Sequence, residues 1–219
     1  VRVEIKFCGL TRPEDAEHAA AVGASYVGVI FAGGPRVLDT SRAADVLAAA
    51  GATVRRVGVF GDQPPGEIAR VARAVRLDVI QLHRDPSSAI IRRVRDEGGE
   101  VAIWGVVRVD GRDLAPRIAE LDEATEAIVL DSFVAGRLGG TGVPFDWGAL
   151  SPGARPRHAR LVAAGGLTPE NVREAIAAMA PHVVDVSSGV EREPGVKDHA
   201  RMRAFADAVD AVMDRQREK

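Results

Sequence analysis

Cysteine is nearly absent: Cys8 is the only one in 219 residues. No intramolecular disulfide can form, which excludes a disulfide-stapled scaffold and makes a reducing cytoplasm the expected location. Aromatics are scarce, with two tryptophans, one tyrosine and six phenylalanines scattered along the chain. That leaves no platform for stacking nucleobases. Neither sign of charge dominates: 29 basic side chains meet 31 acidic ones, a net charge of −2. Nucleic acid and anionic membrane surfaces are therefore not expected partners. No apolar run approaches the roughly 18 residues of a membrane span. The chain opens directly on a strand pattern, with no signal-peptide apolar core. His18, His83, His158, His182 and His199 lack metal-ligand spacing, so no metal is expected.

What the chain does have is alternation. Short β-branched runs at 3–7, 26–30, 54–60, 78–82, 101–107, 127–130, 160–163 and 183–186 predict strands. Amphipathic stretches near 13–22, 40–50, 64–76, 86–97, 111–121, 168–179 and 197–215 predict helices. Between the sixth and seventh strands only a turn or two near 146–150 reads as helical. Strict alternation argues for a parallel sheet with right-handed crossovers. The predicted fold is α/β, a parallel eight-stranded (β/α)8 TIM barrel, with residues 1–219 forming one catalytic domain. A doubly wound open sheet is disfavoured because no Gly-x-Gly-x-x-Gly follows the first strand. Thr11 is expected to cap the first helix, with Glu14 closing a capping box and Gly23 ending it. Thr168-Pro169 is expected to open the helix after the seventh strand.

In such a barrel the C-terminal strand ends converge on one mouth. They carry Lys6-Phe7-Cys8, then Phe31 to Arg36, Gln81-Leu82-His83, Leu130-Asp131-Ser132, Ala164-Gly165-Gly166 and Asp185-Val186-Ser187-Ser188-Gly189. Gly165, Gly166, Ser187, Ser188 and Gly189 follow strands seven and eight. Backbone N–H groups there can approach an anion closely, so this is the expected phosphate grip. Asp131 follows Ile128-Val129-Leu130, and desolvation in that setting raises a carboxyl toward neutrality, suiting it to act as an acid. Cys8 acts as a base only as thiolate, and Lys6, two residues earlier on the same side, is expected to lower its pKa. Arg36, on a glycine-rich loop, is suited to bidentate capture of a carboxylate.

All of these stretches but Phe31 to Arg36, the first continued by Gly9-Leu10-Thr11, together with Gly139-Gly140-Thr141-Gly142, Phe145-Asp146-Trp147, Gly166-Leu167-Thr168-Pro169-Glu170-Asn171-Val172 and Gly189-Val190-Glu191 running into Pro194-Gly195-Val196-Lys197-Asp198, resemble phosphoribosylanthranilate isomerases of tryptophan biosynthesis. They span nearly the whole chain in family order. The resemblance implies an Amadori rearrangement of N-(5′-phosphoribosyl)anthranilate to 1-(2-carboxyphenylamino)-1-deoxyribulose 5-phosphate. Asp131 would be the general acid at the ring oxygen and Cys8 the general base at C2. Arg36 would hold the anthranilate carboxylate, and Lys6, His83 and Asp185 would complete the substrate-binding set. The resemblance implies no organic cofactor, a small phosphosugar–anthranilate substrate as the only partner, and a monomer or homodimer. The chain departs from the family at a shortened Gly33-Gly34-Pro35-Arg36 loop, at Val37, at Gly61-Asp62 and at Arg84, all near the mouth. A histidine-pathway isomerase on the same fold fits less well, because it would carry aspartate where Cys8 stands. A non-catalytic phosphosugar-binding barrel would need neither Cys8 nor Asp131.

Overall fold

The computed structural model describes residues 2–109, 113–132 and 155–217. The glycine-rich segment at 139–144, Phe145-Asp146-Trp147 and the short helical turn expected at 146–150 lie outside them. The first half runs β1 (Glu4–Phe7), α1 (Pro13–Ala21), β2 (Tyr26–Ile30), α2 (Thr40–Ala49), β3 (Arg55–Phe60), α3 (Pro65–Ala74), β4 (Val79–Leu82) and α4 (Ser88–Gly98). The second runs β5 (Ala102–Val109), α5 (Ala115–Asp122), β6 (Ala127–Ser132), β7 (Arg160–Ala164), α6 (Val172–Met179), β8 (Val183–Val186), a 3-10 turn (Ser188–Val190), β9 (Glu191–Glu193), β10 (Val196–Lys197) and α7 (His199–Arg217). β1 to β8 close into a barrel in sequence order, and β9 and β10 form a separate antiparallel pair. The seam is parallel, with Lys6 opposite Asp185 across β1 and β8.

Two apolar layers follow from the period-2 alternation of the strands. Outward residues such as Phe7, Leu82, Leu130 and Val184 join the buried faces of the helices, and Ile68, Ile91 and Phe205 are among those packed there. Inward residues such as Val57, Val79, Trp104, Val129 and Val162 fill the barrel itself. Each fully buried Leu, Ile or Phe contributes roughly 1.5–3 kcal/mol of transfer free energy. The N-terminal end of the barrel is closed by charge. Glu4 accepts from Arg55 at 2.6 Å, from Arg160, and from the Tyr26 hydroxyl at 3.3 Å.

Helix starts follow local chemistry at α2, where Asp39 accepts from Arg42 N at 2.8 Å, and at α4, where Ser87 accepts from Ile90 N. Two expected starts are corrected. Arg12, not Thr11, is the N-cap of α1, and no side chain caps it. The Thr11 hydroxyl donates instead to the Gly195 carbonyl at 2.5 Å, and Glu14 pairs with Arg12. α6 starts at Val172, not at Thr168. Thr168 to Asn171 form a turn held by Asn171, which accepts from Thr168 N at 2.8 Å and donates to the Gly166 carbonyl at 2.9 Å.

Candidate active site

The inward alternation that fills the barrel with valine delivers polar groups at its C-terminal end. Cys8, Gln81, His83, Asp131, Asp185 and Ser187 line one cavity there. The cavity measures about 990 Å³ with its open mouth. Arg36 and Arg84 border it, and so do Gly165, Gly166, Ser188 and Gly189. Every pocket-forming residue expected from the sequence therefore reaches it except Lys6.

Lys6 is fully buried behind the cavity wall. Its ammonium donates to Asp185 Oδ2 at 2.6 Å. Burial works to lower its pKa, but Asp185 and Cys8 outweigh that and hold it above the ordinary value. It is placed as a counter-charge, not as a ligand-contacting group. The effect expected of it on Cys8 is present but does not win. Burial pushes the thiol above its ordinary pKa, and the opposing pull of Lys6 and, further off, Lys197 is insufficient.

Asp131 is the penultimate residue of β6, with its side chain 17% exposed. Burial first, and then the charge of Asp185, raise its pKa to about 6 against the opposing pull of Arg108 and Lys6. His83 Nε2 lies 3.9 Å from Asp131 Oδ2. Burial, with Arg108, Lys6 and Arg84 nearby, lowers the imidazole to about 4. It is neutral at physiological pH, so this contact is not an ion pair. The β-branched run predicts a fifth strand ending at 107, so Arg108 falls just outside it, whereas β5 continues to Val109. The inward register of Arg108, two residues beyond Val106, is the available signal.

Arg36 meets a carboxylate within its own chain. Nε donates to Glu191 Oε1 at 2.8 Å and Nη2 to Glu191 Oε2 at 2.6 Å. The expected bidentate fork is thus occupied by Glu191 through Nε and Nη2, and no hydrogen bond engages Nη1 among the described residues. Glu191 also accepts from the buried Lys197 at 2.8 Å, and Lys197 donates to the Ser187 carbonyl at 3.0 Å. Neither Glu191 nor Lys197 was singled out as a site residue. The Arg36–Glu191 contact joins segments 155 residues apart, whereas Lys197 reaches Glu191 and the Ser187 carbonyl across 6 and 10 residues, within the stretch from Ser187 to Asp198.

The loops after β7 and β8 are held in tight backbone geometry. Gly165 and Gly166 adopt positive φ of 86° and 63°, which other residues resist. A Cβ on Gly189 would run into the Leu167 carbonyl oxygen, so the two loops touch backbone to backbone. Two departures from the family pattern pair with each other: Arg84 Nη1 lies 2.9 Å from Asp62 Oδ2.

A sequence model described as N-(5′phosphoribosyl)anthranilate (PRA) isomerase matches residues 5–208. The chain belongs to this family. It is 43% identical over 220 residues to the N-(5′-phosphoribosyl)anthranilate isomerase of Pseudomonas aeruginosa (strain LESB58), covering 99% of this chain and 98% of the relative. Among solved structures, the phosphoribosyl anthranilate isomerase of Thermotoga maritima superposes with a TM-score of 0.84 at 34% identity, covering 95% and 99% of the two chains. Another family structure holds reduced 1-(o-carboxyphenylamino)-1-deoxyribulose 5-phosphate; it superposes at 0.80 with 33% identity, covering 95% and 99%. The closed barrel and the order of its strands are those the sequence predicted.

Proposed function

We propose that this isomerase of tryptophan biosynthesis carries out its Amadori rearrangement with Asp131 as general acid and Cys8 as general base. The observation that carries the assignment is that both groups line one cavity, from β6 and from the residue that follows β1, and that burial lifts the Asp131 carboxyl to about 6. A carboxyl poised there retains a usable protonated fraction near neutrality.

The steps balance without a redox partner. Asp131 gives its proton to the ribose ring oxygen as the C1–O bond breaks, and the anthranilate nitrogen lone pair forms a protonated imine at C1. The Cys8 thiolate removes the C2 proton, and that C–H electron pair becomes the C1=C2 bond of an enolamine. Tautomerisation places a proton on C1 and removes one from the C2 hydroxyl, which leaves the ketone. The imine acidifies the C2 proton, so a modest base suffices.

The remaining roles follow the charges. The loops at Gly165-Gly166 and Ser187-Ser188-Gly189 hold the phosphate. Arg36 receives the anthranilate carboxylate through the side that Glu191 leaves open. His83, neutral, and Asp185 face the sugar, and Lys6 compensates Asp185 from behind. The enzyme acts on this small substrate with no nucleic acid or membrane partner, as one 1–219 domain, a monomer or homodimer in a reducing cytoplasm.

The productive ionisation is protonated Asp131 with Cys8 thiolate. It carries the same number of protons as the more abundant pair of Asp131 carboxylate with Cys8 thiol. Between about pH 6 and the raised thiol pKa the two forms exchange without pH dependence. The profile of kcat/KM is therefore expected to rise up to about pH 6, run flat, and fall only above the thiol pKa. Steady-state turnover of freshly made phosphoribosylanthranilate tests the roles. Cys8→Ala and Asp131→Asn should each lose roughly 100-fold to 10,000-fold in kcat. Wild-type rates in Cys8→Ser and Asp131→Asn would sink the assignment.

A further inference from the structure

Gln81 is an anomaly of the barrel interior. It points inward on β4, in register with Val59 on β3 and Trp104 on β5. It is 3% exposed, and its Oε1 has no hydrogen-bond partner among the described residues. The inward positions nearby carry Val57, Val129 and Val162, so an apolar side chain would suit the site. A buried amide left without a partner costs folding free energy, and native proteins rarely retain one without a use. Gln81 also lines the cavity that holds Cys8 and Asp131, two residues before His83 on the same inward row. Another buried acceptor in that cavity is likewise unpartnered: Asp185 Oδ1. The cavity floor thus offers acceptors that no donor among the described residues satisfies, beneath the space between the β7 and β8 loops and Arg36.

We propose that the Gln81 side-chain amide hydrogen-bonds a hydroxyl of the substrate's sugar, and that Gln81 is a specificity-determining residue for the polyhydroxy part of the ligand. This rests on the reading that the cavity binds the phosphosugar of the isomerase reaction. The phosphate is gripped at β7 and β8 and the aromatic carboxylate at the β2 loop. The sugar then spans the barrel axis, and its hydroxyls are donors facing the floor. A site built to bond a hydroxyl discriminates strongly against a ligand lacking it, because its own polar atom is then stranded. The folded enzyme without ligand carries that stranded atom already.

The test is a chemical double-mutant cycle by calorimetry. The probe is the reduced product analogue, reduced 1-(o-carboxyphenylamino)-1-deoxyribulose 5-phosphate, with counterparts lacking the C2, C3 or C4 hydroxyl in turn. Wild type should lose roughly tenfold or more in affinity for one of the counterparts. Gln81→Met should bind the parent analogue more weakly by a similar factor, and that same hydroxyl deletion should then cost it little. Its melting temperature should equal or exceed that of wild type, since the substitution removes an unsatisfied amide. Wild type binding all four compounds alike would overturn the proposal and needs no variant to fold. So would Gln81→Met binding the parent analogue as tightly as wild type, or an undiminished hydroxyl effect in that variant. Gln81→Val, which matches the neighbouring side chains, repeats the cycle if the methionine does not pack. Wild-type turnover in Cys8→Ser would instead sink the base assignment while leaving this cycle intact, so the two failures are distinguishable.

Discussion

Glu4 and Asp185 are both inward carboxylates held by cations, on the two strands that meet at the barrel seam. Glu4, toward the N-terminal end, has both oxygens engaged: Oε1 by Arg55, and Oε2 by Arg160 and Tyr26. Arg55 also lies 4.1 Å over the Tyr26 ring. Asp185, toward the other end, gives one oxygen to Lys6 and keeps the other buried without a partner. One end of the barrel closes its polar groups on one another. The other leaves acceptors, a raised thiol and a raised carboxyl facing a cavity. Stability and the proposed chemistry thus occupy opposite ends of the same strands, and the cavity end carries a free-energy cost that the other does not.

The sharpest way to break the contrast is Lys6→Met. It strands Asp185 as an uncompensated buried charge and should cost about 3–5 kcal/mol of stability. Denaturant melts check this. The double variant Lys6→Met with Asp185→Leu should recover most of that stability and none of the turnover.

Asp131→Asn should act in the opposite direction. The folded pKa of about 6 lies above the ordinary 3.8, so the folded state holds the proton more tightly than the unfolded chain. The stability this gives is fully present below about pH 4 and is lost as pH rises through 6. A neutral asparagine escapes that loss. The variant should therefore melt close to wild type at pH 4 and exceed it by about 2–3 kcal/mol at pH 8. A pH series of melts that runs parallel for the two proteins would contradict the assigned burial.

The smallest effect belongs to the closed end. Glu4→Gln weakens the contacts to Arg55 and Arg160, both partly solvent-exposed, and should cost about 1–2 kcal/mol. Its kcat should stay at the wild-type value, and a kcat loss would show that the two ends are coupled.

What was legible in the sequence was whatever is local. The β-branched runs at 26–30 and 183–186 coincide with β2 and β8, because strands buried on both faces are written as continuous apolar stretches. Cys8, Asp131 and His83 were found as strand-end residues for the same reason. The misses are non-local. Thr11 carries the right side chain for a cap, yet its hydroxyl goes to Gly195, 184 residues away. Arg36 was read as free to meet a ligand, yet Glu191 reaches it from 155 residues downstream. Lys6 sits on the right face, but alternation alone does not say whether an inward side chain meets the cavity or the wall behind it. Gln81 was visible as a neighbour of His83. Its significance lies in an unmet hydrogen bond, which no sequence pattern records.

Lys6 and its partner Asp185 are separated by 179 residues. At a ribosomal pace of about 5–20 residues per second, the lysine waits some ~10–40 s for its carboxylate to be made. Arg12, beside it in the chain, contacts the still later Lys197 carbonyl. Throughout that interval Cys8 has neither the wall that buries it nor the charges that surround it. The thiol is then an ordinary solvent-facing one, with more thiolate at a given pH than burial allows it in the finished barrel. Its nucleophilic character is thus greatest while the chain is being made, and it falls when the last strand closes over the first.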